Sequence, residues 1–325
     1  MTVRLRSARA GRPVSGPFVA SAGDIPELNA LFTEAFTDRY RRDGMAGVRV
    51  PPLHPAIWQY ALADAGDGAL AWRDAHGRLV AFNLVHHSGA EGWMGPLCVH
   101  PEHQGQGLGS EVVQAGLRWL RKLPVRVIGL ETMPRTLDNI GFYAGLGFVP
   151  GYCTLTLTLD AAPTDQSVVQ VAGLPTARRE AALLACRALS TRVLSGYDFT
   201  RELELTHQLQ LGDTVLLGPE RAPTGFALYH TVPLVEGRSR EELRVLKLVL
   251  AQRTDWPAML TLLTGVAHRA GCRRVAVRLQ GDYPEAFRSM ISLGGRVRWS
   301  DLRMSVHGWA ELAPAEGMVL SNWEI

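Results

Sequence analysis

Several things are scarce in this chain of 325 residues. Lysine is almost missing: positions 122 and 247 hold the whole complement, and arginine carries the remaining positive charge. No apolar stretch approaches the roughly 20 residues that a membrane-spanning helix needs. The four cysteines (Cys98, Cys153, Cys186, Cys272) lie far apart and form no metal-ligand spacing, so a zinc-finger reading is excluded. They read as small buried hydrophobes in a reducing compartment, which implies a cytoplasmic protein. Charge of one sign is also lacking. The net charge is +3, with 15 basic and 14 acidic residues through Pro163 and 19 and 17 after it. Without a basic stripe the chain has no duplex-binding footprint, so neither nucleic acid nor membrane is an expected partner. The N-terminal arginines (Arg4, Arg6, Arg9, Arg12) have no apolar run behind them, which reads as a flexible tail and not as a secretory signal.

What is present is one glycine-rich turn in a telling place. Trp93 to Val99 is an apolar run that stops at His100-Pro101. Gln104-Gly105-Gln106-Gly107-Leu108-Gly109 follows, and then Val112, Val113, Leu117 and Leu120 recur at helical spacing. Strand, glycine turn and helix make an anion cradle, because glycine lets the backbone turn sharply and the helix N-terminus presents unpaired N–H groups. A triphosphate loop would need Gly-Lys-Ser/Thr, and no lysine lies nearby. The dinucleotide fingerprint Gly-x-Gly-x-x-Gly has a different glycine spacing.

Gln-x-x-Gly-x-Gly after a strand resembles the acyl-CoA pyrophosphate loop of the GNAT family of N-acetyltransferases. A second motif agrees with it. Val125 to Thr132 reads as a buried strand, Thr136 to Leu146 as a short helix, and Tyr143 stands before Gly147-Phe148 as the family has it. One departure is Thr136, where the family commonly has Asn, while Asn139 is displaced by three residues.

The order of predicted elements also suits the family. A short strand at Phe18 to Ala20 precedes a helix capped by Asp24, with Leu28, Leu31, Phe32, Ala35 and Phe36 on its apolar face. Residues 37 to 55 read as irregular, Ile57 to Ala63 as helix, and Leu70 to Arg73 with Leu79 to His87 as a hairpin. A last strand runs from Tyr152 to Leu159. Residues 161 to 165 look like a linker, after which strands and helices restart and end in a hairpin. Tyr143, Gly147 and Phe148 align with Met290, Gly294 and Gly295, each 147 residues on. The expected architecture is therefore α/β with a mixed sheet, as two tandem GNAT-like domains over 1–160 and 166–325. The second lacks the CoA motif: Ala251 to Pro257 contains no glycine, and Met290 cannot donate a proton.

The resemblance implies an acyl-CoA-dependent N-acyltransferase using acetyl-CoA, acting on a primary amine of a small molecule or peptide, as a monomer or homodimer. A non-catalytic acyl-CoA sensor or scaffold is the alternative. It further implies that Gln104, Gly105, Gln106, Gly107, Leu108, Gly109 and Ser110 hold the pyrophosphate, and that Leu97, Cys98 and Val99 pair with the pantetheine arm. Thr136 and Asn139 would line the donor site, and Tyr143 would protonate the leaving thiolate. Glu91 is the leading general base, with His86, His87, Glu131 or a water chain also open. Phe36, Tyr40, Arg41, His54, Trp58 and Tyr60 are expected around the acceptor.

Overall fold

A computed structural model describes residues 13–323, so the N-terminal arginines read as a tail lie outside the described residues. The first half runs β1 (Val14–Val19), α1 (Ile25–Arg42), α2 (Pro55–Ala65), β2 (Ala69–Asp74), β3 (Leu79–Ser88), β4 (Glu91–Val99), α3 (Leu108–Leu120), β5 (Val127–Thr132), α4 (Leu137–Gly145) and β6 (Phe148–Asp160). Helix α1 continues further than its apolar pattern suggests. Its last turns are polar but held together: Asp38 pairs with Arg41 and with Arg42 (2.6 Å), and Arg39 pairs with Asp43. Cations in a final turn also suit the negative end of the helix dipole.

The second half repeats this order with β7 (Val169–Gln170), α5 (Thr176–Val193), α6 (Thr200–Gln208), β8 (Gly212–Leu217), β9 (Gly225–His230), β10 (Glu242–Leu250), α7 (Trp256–Arg269), β11 (Arg274–Gln280), α8 (Pro284–Ser292), β12 (Arg296–Val306) and a terminal β13 (Met318–Ser321). Strand β11 begins 147 residues after β5, and α8 begins 147 after α4. Among the described residues no helix is long and apolar enough to cross a membrane.

All strands join one sheet, ordered β1-β2-β3-β4-β5-β12-β6-β11-β10-β9-β8-β7, with β13 beside β10. The order reveals an exchange. Strand β12 of the second half lies against β5 of the first, and β6 of the first lies against β11 of the second. The two exchanged strands are also antiparallel neighbours of each other. Each half therefore hands its last long strand to the other, so the linker at 161–165 divides the sequence without dividing the sheet. The expected final hairpin is not formed either: β13 pairs with β10 and not with β12.

Helices α3 and α4 cover one face of the first half, burying Met94, Val112, Val113, Leu117, Leu120 and Leu130. Each such side chain contributes about 1.5–3 kcal/mol. Gly116 permits this close approach, because a Cβ there would lie 2.6 Å from the Met94 sulfur. Helices α1 and α2 cover the opposite face over Phe82, Leu84 and Cys98. Cys186 and Cys272 are buried as expected, but Cys153 is exposed on β6.

Candidate active site

Strand β4 has two different neighbours. Its antiparallel ladder to β3 extends to Ala81↔Val99, with one extra β4 residue accommodated around Gly95-Pro96. Its parallel ladder to β5 stops at Met94↔Leu130 among the described residues. A proline cannot donate to a ladder, and beyond it β4 and β5 diverge. Gly95, Pro96 and Leu97 are half-buried along the opening, between strand residues that are fully buried. Cys98 is buried toward α1 and α2, which pushes its thiol pKa well up, and Val99 is buried toward α3.

The glycine turn sits where this opening ends. Gly107 is the N-cap of α3 with φ 90°, Gly105 has φ 72°, and no side chain caps the helix. The first N–H groups of α3, on Leu108, Gly109 and Ser110, have no intrahelical acceptor. A Cβ on Gly105 or Gly107 would meet no protein atom within 4 Å, so the turn faces open space. The glutamines fold back on the chain: Gln104 Nε2 donates to the Val99 carbonyl at 2.9 Å, and Gln106 Nε2 to the Glu102 carbonyl at 2.8 Å. Arg42 donates to Gln104 Oε1 at 3.0 Å, bringing a guanidinium to the turn. Arg42 was missed as a site residue. Its signal, an arginine run after the first apolar helix face, is legible only once α1 is known to continue that far.

Tyr143 projects from α4 with only 8% of its surface exposed. Among the described residues nothing hydrogen-bonds its hydroxyl. Burial, and then the neighbouring Cys98, raise its pKa above the ordinary phenol value, so it stays protonated at neutral pH. Asn139 is half-buried on the same helix, and its carboxamide likewise has no hydrogen-bond partner among the described residues. Thr136 requires a correction. It is wholly buried, and its hydroxyl donates to Asp43 Oδ2 at 2.5 Å, tying the end of α1 to the start of α4. That hydroxyl is not available to a ligand.

Glu91 also differs from expectation. Its side chain is wholly buried, Oε1 accepts the Trp323 indole N–H at 2.8 Å, and Oε2 accepts the Ser321 hydroxyl at 2.5 Å. A base must come within reach of its proton donor, and here the carboxylate is enclosed and each oxygen is held by a donor from the second half. Glu131 is held by Arg278 (2.6 Å) and Arg303 (2.9 Å). Burial opposes its ionisation, but the two guanidiniums prevail and bring its pKa down to about 2. His86 Nδ1 faces Asp64 at 2.6 Å and its ring stacks on Trp93 at 4.0 Å. His87 is depressed by burial and by Arg201.

Of the expected acceptor residues, Trp58 and Tyr60 belong to the buried core. His54 is used as the N-cap of α2, accepting from the Ala56 N–H, and Arg41 pairs with Asp38. Phe36 and Tyr40 remain at the surface of α1, where Tyr40 lies 6.1 Å from the Trp299 ring of β12. Tyr40 therefore meets a residue of the second half, which the composition of the first half could not reveal.

The second half has the same opening, but the chain fills it. The β10 ladder to β11 stops at Arg244↔Ala276, and β13 takes the vacated edge from Lys247↔Ser321 to Leu250↔Met318. The loop ahead of α7, which corresponds to the glycine turn, grips the same segment. Arg253 Nε donates to the Gly317 carbonyl at 3.0 Å and Nη2 to the Pro314 carbonyl at 2.8 Å.

Residues 27–148 match the model of the family described as Acetyltransferase (GNAT) family. Solved structures with the same fold include a putative acetyltransferase from Pyrococcus horikoshii (17% identity, TM-score 0.68, 99% of this chain and 98% of that one). A tandem GNAT protein from the clavulanic acid biosynthesis pathway is also similar (15%, TM-score 0.58, 94% and 100%). So is the N-myristoyltransferase of Saccharomyces cerevisiae with bound myristoyl-CoA (12%, TM-score 0.62, 96% and 86%). No curated protein matches the sequence itself.

Proposed function

Residues 27–148 belong to the GNAT acetyltransferase family, and from that premise we propose that this chain is an acyl-CoA-dependent N-acyltransferase with one working site, in the first half. We read the donor as acetyl-CoA and the acceptor as a primary amine of a small molecule or peptide. The observation that carries the reading is the end of the β4–β5 ladder at Met94↔Leu130, which leaves β4 unpaired on that side from there toward an uncapped, glycine-lined helix N-terminus.

In this reading the N–H groups of Gly105 to Ser110, with Arg42 nearby, take the pyrophosphate. The pantetheine arm runs back along Val99, Cys98 and Leu97 as an added strand would. Asn139 faces the same arm. The amine nitrogen attacks the thioester carbonyl carbon, forming the C–N bond, and a β4 backbone N–H at Cys98 or Val99 supports the developing oxyanion. The C–S bond then breaks, and the thiolate takes the Tyr143 proton. Burial keeps that phenol protonated until the thiolate forms beside it, so its proton is available at that step. The proton shed by the amine passes to water, because Glu91 and Glu131 are both occupied. The acceptor enters between α1 and β12, past Phe36, Tyr40 and Trp299.

The second half, with its opening filled by β13, serves as a structural partner that supplies one wall of the acceptor groove. The reading of the sequence as domains over 1–160 and 166–325 fits this division of labour. Incubation with acetyl-CoA and a panel of primary amines, following free thiol, tests the proposal. Thiol release that depends on an amine supports it. Tight CoA binding without turnover on any amine favours a sensor or scaffold instead.

A further inference from the structure

The opening between β4 and β5 has a vertex, and the C-terminal segment closes it. Trp323 is 1% exposed. Its ring lies over Gly129, where a Cβ would come within 2.3 Å of the indole, and its carbonyl is 3.3 Å from where a Cβ on Gly95 would stand. Gly129 is paired with Trp93, one residue before the last β4–β5 pair. Both strands thus carry glycine at the vertex, and the indole occupies the room this leaves. It is firmly held: Glu91 accepts its N–H at 2.8 Å, Arg303 lies 3.9 Å above its ring centre, and Ser321 is fixed by Lys247 at 2.8 Å. Trp323 is also among the residues that line a cavity of about 440 Å³, with Tyr152, Asp282, Ser305 and Ala310.

We propose that Trp323 sets the acyl length of the donor. The inference rests on the reading of the β4–β5 opening as the donor site. A donor whose pyrophosphate sits at Gly105 to Ser110 has its pantetheine running from Val99 toward Gly95. Its acyl group therefore points at the vertex. There it meets an indole and not empty space, so acetyl and similarly short groups fit and longer chains do not. The cavity that Trp323 lines would receive a longer chain if the indole were removed. The second half acts on the first through this residue: its filled groove anchors the segment that carries the stop.

Titration calorimetry with CoA, acetyl-CoA, hexanoyl-CoA and decanoyl-CoA tests this without a known acceptor. The wild-type protein is expected to bind decanoyl-CoA at least tenfold more weakly than acetyl-CoA. In Trp323→Ala the order reverses, with decanoyl-CoA gaining about fourfold for each methylene that becomes buried. Trp323→Phe keeps most of the wild-type preference. If Trp323→Ala does not fold by circular dichroism, Trp323→Leu, which leaves a shorter apolar side chain, carries the test with the same expected direction. Equal binding of decanoyl- and acetyl-CoA by the wild type overturns the proposal, as does an unchanged ratio in the folded variant. Failure of the wild type to bind CoA or any of its esters removes the donor site itself, a different result from either.

Discussion

The indole N–H of Trp323 and the carboxylate of Glu91 meet at 2.8 Å across 232 positions of sequence. This bond joins the first residue of β4 to the end of the chain, and Ser321 closes the clamp on the other oxygen. Charge-assisted bonds in a dry interior are strong, and losing one partner leaves the other unsatisfied.

Glu91→Ala should accordingly cost about 1–3 kcal/mol of stability, because it leaves the buried indole N–H without its acceptor. Glu91→Gln should cost less, since one oxygen remains to accept the indole N–H. Urea unfolding measures both. In the folded fraction of Glu91→Gln, kcat and its pH profile should match the wild type. A hundredfold loss of kcat with stability intact would restore Glu91 as the base.

Tyr143→Phe removes a hydroxyl that has no hydrogen-bond partner among the described residues, so the melting temperature should be nearly unchanged. Proton donation to the thiolate is lost, and kcat should drop by about 10² or more. CoA affinity should remain within a factor of about three. Steady-state kinetics beside calorimetry separates these effects, and an unaltered kcat would remove Tyr143 from the chemistry.

Gly107→Ala places a side chain at φ 90°, a conformation that costs a non-glycine residue about 1–2 kcal/mol. Among the described residues nothing clashes with the new methyl, which projects into the open turn. The expected result is a modest fall in melting temperature with at least a tenfold rise in the Kd of CoA. A stability loss with unchanged affinity would place the pyrophosphate elsewhere.

Glu202 offers a pH test of the contact between halves. It is wholly buried, and burial followed by repulsion from Asp64 raises its pKa from 4.5 to about 7 in spite of nearby Lys247. A carboxyl with a raised folded pKa holds its proton where the unfolded chain has released it. Stability therefore declines as pH rises from about 4.5 to about 7, by up to about 1.4 kcal/mol per unit, and the contribution is level above that range. Glu202→Gln removes this slope. Urea unfolding of both proteins between pH 5 and pH 8 should show the variant gaining on the wild type as pH rises, and parallel curves would contradict the assignment.

The strand, glycine turn and helix of the candidate donor site were legible because they are local. Gly105, Gly107 and Gly109 must share a turn with the helix that follows, and Tyr143 announces itself by its distance from Gly147-Phe148. The repeat was legible for the same reason, since Met290 and Gly294 keep the spacing of Tyr143 and Gly147. The strand exchange was not. The alternation along Tyr152 to Leu159 says which side chains share a face, but it does not name the neighbouring strand. Glu91 was misread in the same way: its position on β4 was correct, while the two groups that occupy its oxygens come from the far end of the chain. Thr136 failed for a subtler reason, since Asp43 reaches it only because ion pairs carry α1 to Arg42.

The exchanged strands have one more consequence, for how the polypeptide can be cut. Severing the chain between Asp160 and Val169 would leave the first piece with β6, whose neighbours β12 and β11 both belong to the second piece. Its β5 edge would be bare as well, with Gly129 to Thr132 facing solvent where Ser305 to Leu302 now lie. Neither piece should persist as a soluble monomer, because each would expose unpaired strand edges that invite association. Mixed together, the two pieces carry everything needed to complete one sheet. The protein is in this sense a natural template for a split reporter, in which the complete sheet re-forms only when both fragments are present.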